Sequence, residues 1–142
     1  DENGYVDDYV GWDFVGNISI NQAYGGQWKE DNDPSPGHWH GTHVAGCAAE
    51  VGDNNKGGVG PGFKCKIMPL KCGVDQSNIR SIFRGYDAIL YAAENGADVI
   101  NCSWGGPGGS PVGQEIINTA YNMGSVVVVS AGNSYKNIDY TG

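Results

Sequence analysis

The sequence contains no apolar run near the roughly 20 residues that a helix needs to cross a bilayer, so a transmembrane helix is excluded. Basic residues are scarce: 8 Lys and Arg stand against 16 Asp and Glu, a formal net charge of −8. This balance argues against nucleic acid and anionic membrane surfaces as partners, since both are bound through clustered cationic side chains. The four cysteines, Cys47, Cys65, Cys72 and Cys102, show no CxxC spacing, which removes the common zinc and dithiol motifs. Each stands among apolar or small residues, which predicts buried thiols behaving as small hydrophobes. A disulfide pair is the less favoured alternative, and the redox compartment stays open. The chain opens Asp1-Glu2-Asn3-Gly4 with no signal-peptide pattern and reads as a processed or trimmed piece.

Glycine, by contrast, is plentiful, with 24 in 142 residues, and the length suffices for one domain with a core of its own. No internal repeat or linker divides it. Residues 1–8 read as an acidic turn. Tyr9, Trp12, Phe14 and Val15 make a short strand-like patch, and residues 21–39, rich in Gly, Asp, Asn and Pro, predict a surface loop. A helix is expected from His40 to about Val51, ended by the Gly/Asn-rich stretch 52–58. Residues 66–72 read as a strand. Ser77 then caps a helix running to about Asn95, with Ile79, Ile82, Phe83, Tyr86, Ile89, Leu90 and Ala93 on one face and Asn95-Gly96 as its stop. A strand over 98–103 follows. Ser110-Pro111 opens the next helix, whose expected buried side is Val112, Ile116, Ile117 and Ala120, and Gly124 ends it. The run Val126-Val127-Val128-Val129 is apolar on both faces, as in parallel strands covered by helices. The fold class is therefore α/β: a parallel sheet with helices on both faces, its chemistry collected at the carboxyl ends of the strands.

Three stretches carry chemistry. The first is His40-Gly41-Thr42-His43-Val44-Ala45-Gly46, an imidazole at the mouth of a helix of small residues. Glycine lowers helix propensity, so its presence predicts close approach of this helix to its neighbours, which would hold His40 in place. An anchored imidazole can act as a general base near pH 7. The second is Val129-Ser130-Ala131-Gly132-Asn133, where a carboxamide beyond a buried strand can donate to a developing oxyanion. The third is Val99-Ile100-Asn101-Cys102-Ser103-Trp104-Gly105-Gly106-Pro107. Its glycine-rich loop lacks both G-x-G-x-x-G and GK[ST], which disfavours a phosphate cradle. Taken singly, each stretch also has a plain structural reading: a helix start with incidental histidines, a turn asparagine, a tryptophan covering the core.

In the order they take along the chain, the three stretches resemble the subtilisin-like serine proteases (subtilases) over roughly residues 5–135, and the Gly11-Trp12-Asp13-Phe14-Val15 string is similar to a segment of some members. The resemblance implies a subtilisin-like, incomplete α/β fold and a serine endopeptidase. It makes His40 the catalytic base, His43 a structural neighbour and Asn133 the oxyanion donor, with His40 and Asn133 facing a common cleft. Ser103, Trp104 and Gly105 would line one wall of the primary pocket and Ser130, Ala131 and Gly132 the other. An extended polypeptide substrate would bind there by main-chain pairing. Family resemblance also implies a secreted or cell-surface location. No cofactor and no metal ligand is assigned. Calcium stays open, because the acidic turn 1–8 and the loop 52–58 each match a calcium loop incompletely.

The resemblance also has gaps. The family's aspartate stands in Asp-(Thr/Ser)-Gly and its nucleophile in Gly-Thr-Ser-x-Ala, and neither string occurs in these residues. The reading is therefore a single partial peptidase domain over residues 1–142, inactive alone, whose parent holds the remaining triad members. Two alternatives stand beside it: a non-catalytic peptide-binding relative, and a metal-binding module built on His38, His40 and His43, which lacks HExxH and a cysteine pair. An incomplete parallel sheet also leaves apolar edges and faces open, so self-association of the isolated chain is expected. A monomer by light scattering at high concentration would rule that out.

Overall fold

The computed structural model describes residues 3–76, 78–106 and 109–134. The element order is β1 (Trp12–Asp13), α1 (Ile20–Tyr24), α2 (Trp39–Ala49), β2 (Leu70–Lys71), α3 (Gly85–Glu94), β3 (Val99–Cys102), α4 (Pro111–Asn122) and β4 (Val126–Val129). The chain forms two compact units, Asp1–Phe83 and Arg84–Gly142. Among the described residues no helix is long and apolar enough to cross a membrane. The α/β class and the parallel pairing agree with the sequence reading. The strands form two two-stranded sheets, β1 with β2 and β3 with β4, both parallel.

In the first unit, Trp12 lies opposite Leu70 and Asp13 opposite Lys71. Phe14 and Val15 follow directly and are fully buried. Val15, Ile18, Ala23 and Val74 make a core against which Ile20, Ile79 and Phe83 pack. The expected loop from residue 21 instead begins inside a short helix. Ser19 caps α1: its hydroxyl accepts from the Gln22 amide at 3.4 Å, and the Gln22 side chain accepts from the Ser19 amide at 3.0 Å. This reciprocal pair is a capping box, which satisfies two orphan donors at once. The strand expected over 66–72 narrows to Leu70–Lys71.

One charged cluster is built into this unit. The Asp13 carboxylate is 1% exposed and accepts from Lys71 Nζ at 2.7 Å and from the Val15 amide at 2.8 Å. Lys71 also pairs with Asp75, four residues further along the chain. Burial pulls the Lys71 ammonium down, but its hydrogen bonds to Asp13 and Asp75 and their negative charges outweigh it, and the net shift is upward.

The second unit begins at α3, and here the sequence reading needs correction. The helix starts at Gly85, not near Ser77, which itself lies outside the described residues. Arg84 precedes it in the left-handed region, with φ 52°. Ile79 and Phe83 fell on the expected helix face, yet they turn into the first unit's core, and the Phe83 amide donates to the Cys72 carbonyl at 2.7 Å. Their spacing mimicked a helix because two burial demands happened to fall in phase. The expected stop does hold: Asn95 caps α3 and Gly96 takes φ 77°. Ser110 caps α4 through its hydroxyl, which accepts from the Gly113 amide at 3.0 Å, with Pro111 at the first position. Helices α3 and α4 pack on each other and on β3 and β4.

Burial in this unit is one-sided. Ile100 and Cys102 point inward, whereas Val99, Val126, Val128 and Val129 are exposed. The cover expected on both faces of the valine strand is thus present on one face, because the two helices of the unit pack together. On α4, Ala120 is buried and Ile116 and Ile117 are half-buried, but Val112 is 64% exposed, contrary to its expected place in the core.

The thiols also differ from expectation. Among the described residues no disulfide joins them, and only Cys102 is buried; Cys47 and Cys65 are exposed and Cys72 is intermediate. Burial pushes the Cys102 thiol up, away from the reactive thiolate. Brief iodoacetamide treatment of the native chain, read by peptide mass spectrometry, should therefore modify Cys47 and Cys65 and spare Cys102. Modification of Cys102 at the same rate as Cys47 would contradict the burial. A second expectation comes from Lys71. A lysine raised on folding contributes stability that is complete below its unfolded value, about 10.4, and lost as pH rises through the folded value. Urea midpoints should thus fall with alkaline pH above that value. The total fall should be smaller, and complete at lower pH, in Asp75→Asn, which removes one of the two carboxylates that raise Lys71. Falls of equal size in both proteins would contradict the linkage.

Candidate active site

His40 lies in the first turn of α2. The helix begins where it does because His38, in an extended conformation, caps it: His38 Nδ1 accepts the His40 amide at 3.1 Å. Such an acceptor satisfies one of the otherwise unpaired first-turn donors. Around this turn the rings contact one another. His38 stacks on Trp39 with centroids 5.4 Å apart, and Trp39 meets the edges of His40 at 5.7 Å and of His43 at 5.9 Å. His43 Nδ1 also lies 3.7 Å from Cys47 Sγ, one turn along the same face. The imidazole of His40 is thus set on a capped turn beside an exposed indole.

The expected reason for the glycines of this helix is not what the structure shows. No residue of α2 is buried, and a Cβ on Gly41 or Gly46 would meet nothing within 4 Å. Small residues permit a close neighbour, but they do not supply one. Helix α2 is instead held at its ends. At the carboxyl end, the Gly62 amide donates to the Ala48 carbonyl at 2.9 Å, the Gly60 amide to the Glu50 carbonyl at 2.9 Å, and the Gly58 amide to the Glu50 carboxylate at 3.0 Å. At the amino end, Gly37 lies flat against Asp75, where a Cβ would overlap the Asp75 main chain.

In the second unit the parallel register aligns Cys102 with Val129 and so brings two of the motifs together. Beyond the strands, the Ser130 amide donates to the Cys102 carbonyl at 3.1 Å and the Ser130 hydroxyl to the Trp104 carbonyl at 3.4 Å. Asn101 Nδ2 donates to the Ser103 hydroxyl at 2.9 Å. Ser103, Trp104 and Ser130 therefore share one edge, at the carboxyl ends of β3 and β4. Gly105, Ala131, Gly132 and Asn133 continue outward from it and are exposed, with Gly132 turning the chain at φ 79° just before Asn133. Pro107 and Gly108 of the glycine-rich loop lie outside the described residues.

Trp104 is half-buried, and its support was not legible as a site feature. The Tyr86 ring meets it edge-on, with centroids 6.1 Å apart. Tyr86 in turn lies on the bare main chain of Gly113, where a Cβ would overlap the tyrosine ring. A glycine inside α4 was the available signal, since a helix interior disfavours it unless something packs close.

Among the described residues no group of three or more His, Cys, Asp or Glu is placed to hold a metal ion. One nitrogen of His38 accepts from the His40 amide. In the acidic turn, the Asp8 carboxylate accepts from Asn3 Nδ2 at 2.8 Å.

Comparison with known proteins bears on the whole chain. A sequence model of the subtilase family (peptidase S8) matches residues 8–141. Thermitase of Thermoactinomyces vulgaris is 40% identical over 124 residues, which cover 87% of this chain and 39% of thermitase. An extracellular protease of Xanthomonas campestris pv. campestris is 35% identical over 159 residues, covering 91% of this chain and 26% of that protein. Subtilisin DY of Bacillus licheniformis is 41% identical over 100 residues, 69% of this chain and 35% of the subtilisin. The chain thus spans well under half the length of these relatives. With three motifs in family order, parallel pairing that joins two of them, and a family match across nearly all of its residues, the chain belongs to the subtilase family.

Proposed function

We propose that this chain is a single partial peptidase domain of a serine endopeptidase, in which His40 is the general base and Asn133 donates to the oxyanion. In the complete gene product, His40 would take the proton of a serine nucleophile as it attacks the substrate carbonyl and return it to the leaving amine. The Asn133 amide would hold the negative charge that develops on the carbonyl oxygen. Ser103-Trp104-Gly105 and Ser130-Ala131-Gly132 would flank the bound residue of an extended polypeptide, with Trp104 as the apolar wall. The observation that supports this reading is the shared edge at β3 and β4: the Ser130 amide and hydroxyl reach the Cys102 and Trp104 carbonyls, so the carboxyl ends of the two strands lie next to each other. Secretion is supported by relatives named as extracellular proteases.

Residues 1–142 contain neither the aspartate string nor the serine string of the family, so the chain by itself would be inactive. An imidazole without an orienting carboxylate and a serine to activate cannot form an acyl-enzyme. A fluorophosphonate probe is therefore expected to label the complete gene product at a serine outside these residues and to leave the 142-residue chain unlabelled. Labelling of the chain itself at a serine would contradict the assignment, and an unlabelled complete product would identify a non-catalytic peptide-binding relative.

A further inference from the structure

Helix α2 has no buried face within its unit, yet it carries the residue assigned as base. Its hold at the amino end therefore decides where His40 sits. That hold can be followed residue by residue. Asp13, on β1, is 1% exposed and fixed by the Val15 amide and by Lys71 Nζ. Lys71, on β2, has a side chain 11% exposed, and its ammonium reaches past Asp13 to the Asp75 carboxylate. The Asp75 main chain lies directly against Gly37, close enough that only a glycine fits. Gly37 is followed by His38, whose ring caps the first turn through the His40 amide. An unbroken line of contacts thus runs from the sheet to the base.

We propose that Lys71 and Asp75 are positioning residues for His40: the ammonium, anchored to the sheet through Asp13, holds Asp75 where its main chain braces Gly37 and sets the first turn of α2. The proposal rests on the reading of His40 as the base. A purely structural ion pair would not need its second carboxylate. Asp13 alone already compensates the buried ammonium, while the Asp75 side chain is 35% exposed and adds little to the core. What Asp75 does add is a fixed loop at the doorway of α2. The upward shift of Lys71 agrees with an ammonium held by both partners across the working pH range.

The test uses the complete gene product with Asp75→Asn, which keeps shape and removes one charge, and with Lys71→Arg, which keeps the charge. Gly37→Ala acts on the same contact from the other side. In Asp75→Asn and Gly37→Ala, amide exchange of residues 38–44, followed by mass spectrometry, should quicken about tenfold, while that of residues 12–15 on β1 stays unchanged. In the same proteins kcat on a peptide substrate should fall about tenfold with KM held, as for a misplaced base, and Lys71→Arg should keep most of the activity. Unchanged exchange over 38–44 in Asp75→Asn overturns the proposal, and so does faster exchange with kcat intact. If the unsubstituted product hydrolyses no peptide, the protease reading falls, and the exchange measurement alone still decides whether Asp75 holds the helix.

Discussion

Parallel strand pairing is the constraint on which this molecule depends. A parallel pair cannot be closed by a tight turn; its strands come from distant segments, and the connecting chain must travel back before pairing. The payoff is that both strands end on the same side. β3 and β4 are joined by the glycine-rich loop and α4, and their register leaves Ser103-Trp104 and Ser130 side by side. The same constraint operates in the first unit, where pairing of Trp12 with Leu70 and Asp13 with Lys71 forces two charged residues to face each other inside a small core. Lone buried charges there would be untenable, and the ion pair is the solution that the pairing demands.

The two units treat apolar surface differently. The first gathers Phe14, Val15, Ile18, Ala23 and Val74 beneath a loop-rich cover, so a short sheet suffices. The second has a regular pair of helices on one side of its strands and leaves Val99, Val126 and Val128 open on the other. Helix α2, open along its length, belongs to the same description. These exposed elements include the helix of the candidate base and the strand that leads to the candidate oxyanion donor. Apart from Trp39, His40 and His43, their side chains are small or β-branched, suited to close contact with another layer of secondary structure.

Support of the candidate site comes from residues with no catalytic chemistry of their own. Tyr86 reaches Trp104 because Gly113 lacks a side chain, and Asp75 reaches the start of α2 because Gly37 lacks one. In both places a glycine lets an aromatic ring or a backbone segment come close enough to brace a residue of the candidate site. Catalytic constellations depend on such outer contacts for their placement.

Sequence alone determined whatever acts over a few residues. The caps at Ser110 and Asn95, the stop at Gly96, the proline opening α4 and the four-residue strand of valines were all legible, because capping and turn chemistry are local. So were the three motifs, whose spacing is a property of the chain. The Ser19–Gln22 capping box is equally local, but it stands in a polar stretch with no apolar period to mark a helix. Tertiary structure alone decided which apolar residues were inside. Ile79 and Phe83 joined another core, Val112 stayed in water, three of the four thiols escaped full burial, and Lys71 came to bridge Asp13 and Asp75. Burial and ion pairing depend on what arrives from elsewhere in the chain, and a local pattern of side chains carries no record of that partner.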